Sequence, residues 1–308
     1  MNNKRPRSRR HFLRSSAFFA TGSLLIPELV RSGLSDRVAR FGGSGHPSPF
    51  AGSGLPATRV KNIGIQLYTV RKEMLADPVA TLKELAKIGY KELESARSEK
   101  GNYYGLEPKE IKKITGDLGM KLLSGHTHVD KDWQRSIDQA AETGQQYLIS
   151  AILPSPGQTI ENYQQSAEAF SRFGEDCKKS KISFGYHNHN TEFEVVNGQV
   201  LYDILLERSD PALVKMEMDL GWVIAAGHDP LSYFNKYPGR FPLWHLKDMD
   251  LTRKQSTEFG KGGVDMKKFL QHSGQSGMKH FFVEQEEYTH TPFESIVTDY
   301  NYLAGLDY

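Results

Sequence analysis

From residue 61 onward, short apolar runs alternate with segments whose apolar residues recur at helical spacing. The runs are Ile63–Thr69, Lys91–Ser95, Lys121–His128, Tyr147–Leu153, Ile182–His189, Val214–Leu220, Pro242–Lys247 and His280–Gln285. Their length and composition predict buried strands. Between them lie Pro78–Ile88, Pro108–Leu118, Trp133–Thr143, Ile160–Lys179, Val200–Arg208, Pro230–Lys236 and Met266–Ser276, with Pro292–Leu306 closing the series. Val79, Leu82, Leu85, Ala86 and Ile88 make one helical face. Asp77-Pro78 and Asp229-Pro230 read as helix N-cap and first-turn pairs, while Gly89, Gly119, Gly144 and Gly277 read as helix ends.

Eight such alternations predict one parallel (β/α)8 barrel over residues 61–308, a fold that takes roughly 250 residues. A doubly wound open sheet usually carries a Gly-rich phosphate turn after its first strand. Here that strand ends in Gln66-Leu67-Tyr68-Thr69. No second domain is predicted.

Several runs end in residues that ligate metals. Met218-Asp219-Leu220-Gly221-Trp222, Trp244-His245-Leu246-Lys247-Asp248, Phe282-Val283-Glu284-Gln285 and Tyr186-His187-Asn188-His189 all pass from apolar to polar at such a residue. In a barrel, strand C-termini converge on one mouth. Two imidazoles and two carboxylates from His187, Asp219, His245 and Glu284 would balance one divalent cation and leave room for substrate oxygens. Without thiolates, Mn²⁺, Co²⁺, Mg²⁺ or Zn²⁺ is the expected ion. Each residue has a plainer alternative: Asp219 as a helix cap, His245 as a packed core residue, Glu284 as part of the acidic run Glu284–Glu287. His187 and His189 should point to the same side of a strand, so either could ligate; His187 is taken as the ligand and His189 as contacting substrate, with the reverse as the alternative.

Further candidates stand at the same mouth. Glu284, His189, Lys247 and Glu94 are candidate proton-transfer groups; an exposed loop position is the alternative for Lys247. His126, His128, Trp222 and Tyr68 are candidate substrate contacts, with packing as the alternative for Trp222. Gly260-Lys261-Gly262-Gly263 reads as a plain turn or a backbone loop against substrate.

Charge divides the chain. Residues 1–60 hold ten Lys/Arg against two Asp/Glu, so a net +2 overall leaves about −6 on the remainder. An acidic body argues against nucleic-acid binding, which needs a basic surface. Cys177 is the single cysteine and is expected to be a small core residue. Ser8-Arg9-Arg10-His11-Phe12-Leu13-Arg14 followed by the apolar run Ala17–Val30 resembles a twin-arginine signal. Residues 1–32 are therefore expected to be an export signal and 33–60 a flexible Gly/Ser/Pro linker. That implies a periplasmic or secreted protein, transient contact with the export machinery and no stable membrane anchor.

Residues 61–308 resemble the xylose isomerase-like TIM barrel superfamily, often described as sugar phosphate isomerase/epimerase. The resemblance rests on Gly64–Thr69, Tyr186–His189, Asp219, Trp244–Asp248 and Val283–Gln285. Spacings of 32, 26 and 39 residues between positions 187, 219, 245 and 284 are similar to those of its ketose 3-epimerases and inosose dehydratases. The resemblance implies a small-molecule sugar substrate and a metal-dependent isomerase or epimerase acting through an enediolate. The runner-up is an eliminating keto-sugar lyase or dehydratase, and a non-catalytic sugar-binding barrel is a further alternative. Two departures bear on the choice. The epimerases carry Glu where this chain has His187, and many relatives carry Asp-x-Gly-His where it has Asp219-Leu220-Gly221-Trp222.

Overall fold

The computed structural model describes residues 59–308. The export signal expected over residues 1–32 and nearly all of the linker expected over 33–60 lie outside them. The strands are β1 (Gly64–Gln66), β2 (Glu92–Ala96), β3 (Lys121–His126), β4 (Tyr147–Ser150), β5 (Ser183–His187), β6 (Val214–Asp219), β7 (Leu243–Leu246) and β8 (His280–Val283). They pair in parallel and in sequence order, and β8 closes onto β1. Helices follow the strands, as in Pro78–Ile88, Pro108–Asp117, Trp133–Thr143, Ile160–Lys179 and Pro292–Ala304. This is the (β/α)8 barrel expected from the alternation. Two short hairpins, Val195–Val196 with Gln199–Val200 and Asp248–Asp250 with Gln255–Thr257, elaborate the loops after β5 and β7.

Local signals act where expected. The Asp77 carboxylate accepts from Ala80 N–H at 2.9 Å, and Asp229 accepts from Leu231 N–H at 3.0 Å, each with Pro opening the helix. Gly144 and Gly277 end their helices in the left-handed conformation. Cys177 is buried in the hydrophobic core. Among the described residues, no helix is long and apolar enough to cross a membrane.

Two boundaries differ from expectation, and one strand pairing is irregular. β1 stops at Gln66, because that side chain accepts from Tyr68 N–H at 3.2 Å and turns Leu67–Val70 into a 3-10 helix. β5 stops at His187, so His189 lies beyond the strand and the period-two argument does not reach it. β2 pairs with β3 through a register shift at Leu93/Glu94. Such an irregularity re-aims a side chain, here that of the buried Glu94.

Candidate active site

Strand geometry brings the polar residues together. Glu217 and Asp219 are two apart on β6, so both face the barrel interior. Asp219 is in register with His245 on β7, and Glu217 with His187 on β5. Glu284 follows β8 directly, and its N–H donates to Leu246 O at 3.0 Å.

Asp219 performs both roles that the sequence offered. Its Oδ1 accepts from Trp222 N–H at 2.8 Å and caps the helix Leu220–Ala225. Its Oδ2 turns inward, buried and without a hydrogen bond. Gly221 permits the tight approach that follows: a Cβ there would lie 2.8 Å from the Lys247 carbonyl oxygen and 2.9 Å from its Cβ.

Two groups of ligand-type atoms share His245. The outer group is His187, Asp219, His245 and Glu284. His187 Nε2 lies 3.5 Å from Asp219 Oδ2 and 4.0 Å from Glu284 Oε2. His245 Nδ1 lies 2.8 Å from Glu284 Oε2 and 4.0 Å from Asp219 Oδ2. The inner group is Glu94, His126, Glu217 and His245. There His245 Nε2 meets Glu94 Oε1 at 2.7 Å, and His126 Nε2 meets Glu217 Oε2 at 2.6 Å. Gln66 also donates to Glu94 Oε1, at 2.7 Å.

The outer donor set fits a divalent cation. His187 is 2% exposed, and neither of its ring nitrogens has a hydrogen-bond partner. Buried polar groups are nearly always paired, so such an orphan points to something that completes it. Burial, then the neighbouring imidazoles of His245, His126 and His189, push its pKa well down. It is therefore neutral and able to ligate. Burial alone would raise the Glu284 carboxyl, but Lys247 and His245 outweigh it and hold the group ionised. In the inner group, Glu94 and Glu217 outweigh burial and hold His126 protonated.

Most sequence-predicted residues converge, in different roles. Tyr68, His126, His128, His187, His189 and Glu284 line one cavity of about 320 Å³. Glu94 does not; it is fully buried behind His245, too deep to touch substrate directly. Lys247 is no exposed loop residue. It is fully buried, with Nζ 3.0 Å from both Asp219 Oδ2 and Glu284 Oε2 and 2.6 Å from Glu286 Oε1. Trp222 also lies outside the cavity lining, with Lys247 Nζ 4.9 Å from its ring centroid. The loop Gly260–Gly263 wraps the Asp248 carboxylate, which accepts from Gly260 and Gly262 N–H at 2.9 and 3.0 Å. Sequence reasoning missed Glu217 and Glu286. Strand period two, counted back from Asp219, was the available signal for Glu217. No local pattern singled out Glu286 within the acidic run 284–287.

A closed (β/α)8 barrel with histidines and carboxylates gathered at its strand ends defines a class of metal-type enzyme scaffold. The chain belongs to the xylose isomerase-like TIM barrel family, whose model matches residues 82–304. That family has isomerase/epimerase and dehydratase members. An inosose dehydratase of Lacticaseibacillus casei is 26% identical over 168 residues, covering 48% of this chain and 56% of that protein. The chain spans about half the length of the curated relatives it matches. A solved sugar phosphate isomerase/epimerase from Parabacteroides distasonis is 27% identical with a TM-score of 0.72, covering 80% of this chain and 99% of that one. The solved IOLI protein with a binding zinc atom shares the fold at 14% identity and a TM-score of 0.64, over 78% of this chain and 96% of that one.

Proposed function

We propose that the barrel is a divalent-metal-dependent enzyme that removes a proton next to the carbonyl of a sugar or cyclitol and then eliminates a β-substituent. The observation that carries the metal reading is His187, buried with both nitrogens unpartnered and facing the oxygens of Asp219 and Glu284. His187, Asp219, His245 and Glu284 would hold the ion, which supplies Lewis acidity to the substrate carbonyl. The chain's own residues then divide the proton work. His189 is half-buried on the cavity wall, its ring centroid 5.0 Å from that of His187, and serves as the base. Glu284 is the weaker base, since Lys247 and His245 hold its carboxyl low. His126 reaches the same cavity as a cation held by Glu94 and Glu217, and delivers the proton to the departing oxygen.

Elimination is supported by two further points. Strand five presents His187 where a two-base epimerase would need a second carboxylate, and the curated relatives are named inosose dehydratases. Isomerisation or epimerisation is the second reading, favoured by the name of the 27% identical structure. One experiment tests both levels: elemental analysis of the wild type and Asp219→Ala, with mass-resolved products from a panel of keto-sugars and inososes. About one metal per chain, lost in the variant, and products lighter by the leaving group are expected. Products of unchanged mass would replace elimination by isomerisation, and a metal-free wild type would sink the enzyme reading.

We also propose export by the twin-arginine route to the periplasm or beyond, on the strength of Ser8–Arg14 and the apolar run after it. Arg9→Lys combined with Arg10→Lys should leave the protein in the cytoplasm. Undiminished export of that variant would refute this route.

A further inference from the structure

Lys247 sits where it competes with the ion. Asp219 Oδ2 and Glu284 Oε2, each 3.0 Å from Nζ, are the same oxygens that face His187 Nε2 and His245 Nδ1. Each carboxylate oxygen offered to a cation in the outer group is thus already offered to a fixed positive charge. The ammonium has little room to withdraw. Its side chain is fully buried, the backbone at Gly221 packs against it, and the Trp222 ring flanks it. Its contacts are nevertheless unequal. Only Glu286 Oε1, at 2.6 Å, accepts a hydrogen bond from Nζ; the two 3.0 Å contacts are ion pairs without hydrogen-bond alignment. Glu286 is half-buried on the cavity wall and gives the charge a second place to rest.

We propose that Lys247 is a built-in counter-cation: it holds the Asp219 and Glu284 carboxylates together when no ion is bound, and it lowers the affinity of the site for the ion. Glu286 opposes it by drawing the ammonium away. This rests on reading the outer group as a metal centre. The expected sign is unusual. A neighbour that orients a ligand normally strengthens metal binding, and its loss weakens it. Here the neighbour is itself a cation on the ligand oxygens. Two buried carboxylates stripped of it must find another positive partner or lose stability. The ion then becomes that partner, so its binding tightens, and it stabilises the fold more because it binds only the folded state.

The test uses the full-length, metal-stripped protein and Co²⁺ as the probe. Dissociation constants and melting temperatures with and without Co²⁺ are measured for the wild type, Lys247→Met, Glu286→Gln and the double variant. Lys247→Met should melt lower without Co²⁺, bind it at least tenfold more tightly, and show a larger rise in melting temperature on adding it. Glu286→Gln should weaken binding several-fold, and that effect should vanish once Lys247 is gone. Unchanged or weaker binding by Lys247→Met would overturn the proposal, as would a Glu286→Gln effect that survives in the double variant. If Lys247→Met folds only with Co²⁺, the proposal stands. If it folds under neither condition, Glu286→Gln alone decides, and unchanged or tighter binding there overturns it. A wild type that binds no Co²⁺ removes the metal centre itself, a failure distinct from any change of sign.

Discussion

On the Nε2 side of His245, two imidazole nitrogens meet two carboxylate oxygens at 2.7 and 2.6 Å, and Gln66 adds a third donor. On the Nδ1 side, His187 has no partner at either nitrogen and Asp219 Oδ2 accepts no hydrogen bond. Both sides are buried apart from the partly exposed His126, and both gather two histidines and two carboxylates. The difference lies in the imidazoles: His126 and His245 each have a carboxylate partner on the inner side, where Glu94 Oε2 and Glu217 Oε1 are nonetheless unpartnered, whereas His187 has no partner at all. The inner side can hold its histidines by hydrogen bonds and charge alone. A buried unpaired polar group costs about 1–3 kcal/mol, and the His187 ring carries two such atoms. Similar ligand lists therefore imply different work under the proposed function: the outer group would take an ion, and the inner group would orient His245 so that Nδ1 faces it.

That contrast is breakable by substitution. His187→Ala should empty the outer group, with metal content near zero and turnover at background. Glu217→Gln keeps the shape but removes an inner charge. It should retain the metal and lower turnover by roughly 10- to 100-fold, the usual effect of losing a group that orients a ligand. Paired metal analysis and steady-state rates decide the matter. Equal metal loss in both variants would mean that the two sides form one site.

The barrel was legible because a parallel strand buried on both faces reads as a short apolar run, and eight of them alternate with helical segments. The grouping of the outer four residues was legible because each lies within one residue of a strand's C-terminal end, where barrel geometry converges. Roles were harder. Glu94 shows nothing local to say that a register shift and Gln66 hold it behind His245 rather than at the mouth. Lys247 looks like an ordinary loop lysine until Gly221 allows the next chain segment to close over it. His189 was read by strand period, but β5 ends two residues earlier. In each case the missing information was tertiary: which neighbour a strand end meets, and how closely.

Asp299 sharpens the comparison from outside the site, as a buried carboxylate with no imidazole beside it. Burial first, then the charges of Glu258 and Asp248, raise its pKa from 3.8 to about 7; the hydrogen bond from Phe259 N–H and, more weakly, Lys261 pull the other way. Its Oδ1 accepts from Phe259 N–H at 2.8 Å, and its Oδ2 is unpartnered. An acid whose pKa is raised on folding binds its proton more tightly in the native state. Its stabilising contribution is complete below pH about 4 and is lost as pH rises through about 7. Asp299→Asn keeps the Oδ1 acceptor and cannot ionise. The variant should match the wild type near pH 4, gain on it as pH rises towards 7, and exceed its stability at pH 8–9 by roughly 4 kcal/mol at most, from about 1.4 kcal/mol per pKa unit. Denaturant unfolding across pH 4–9 measures the difference. A gap that stays flat with pH would mean that Asp299 is neutralised in the native state by a partner, as Glu94 is by His126 and His245, and that burial alone does not govern it.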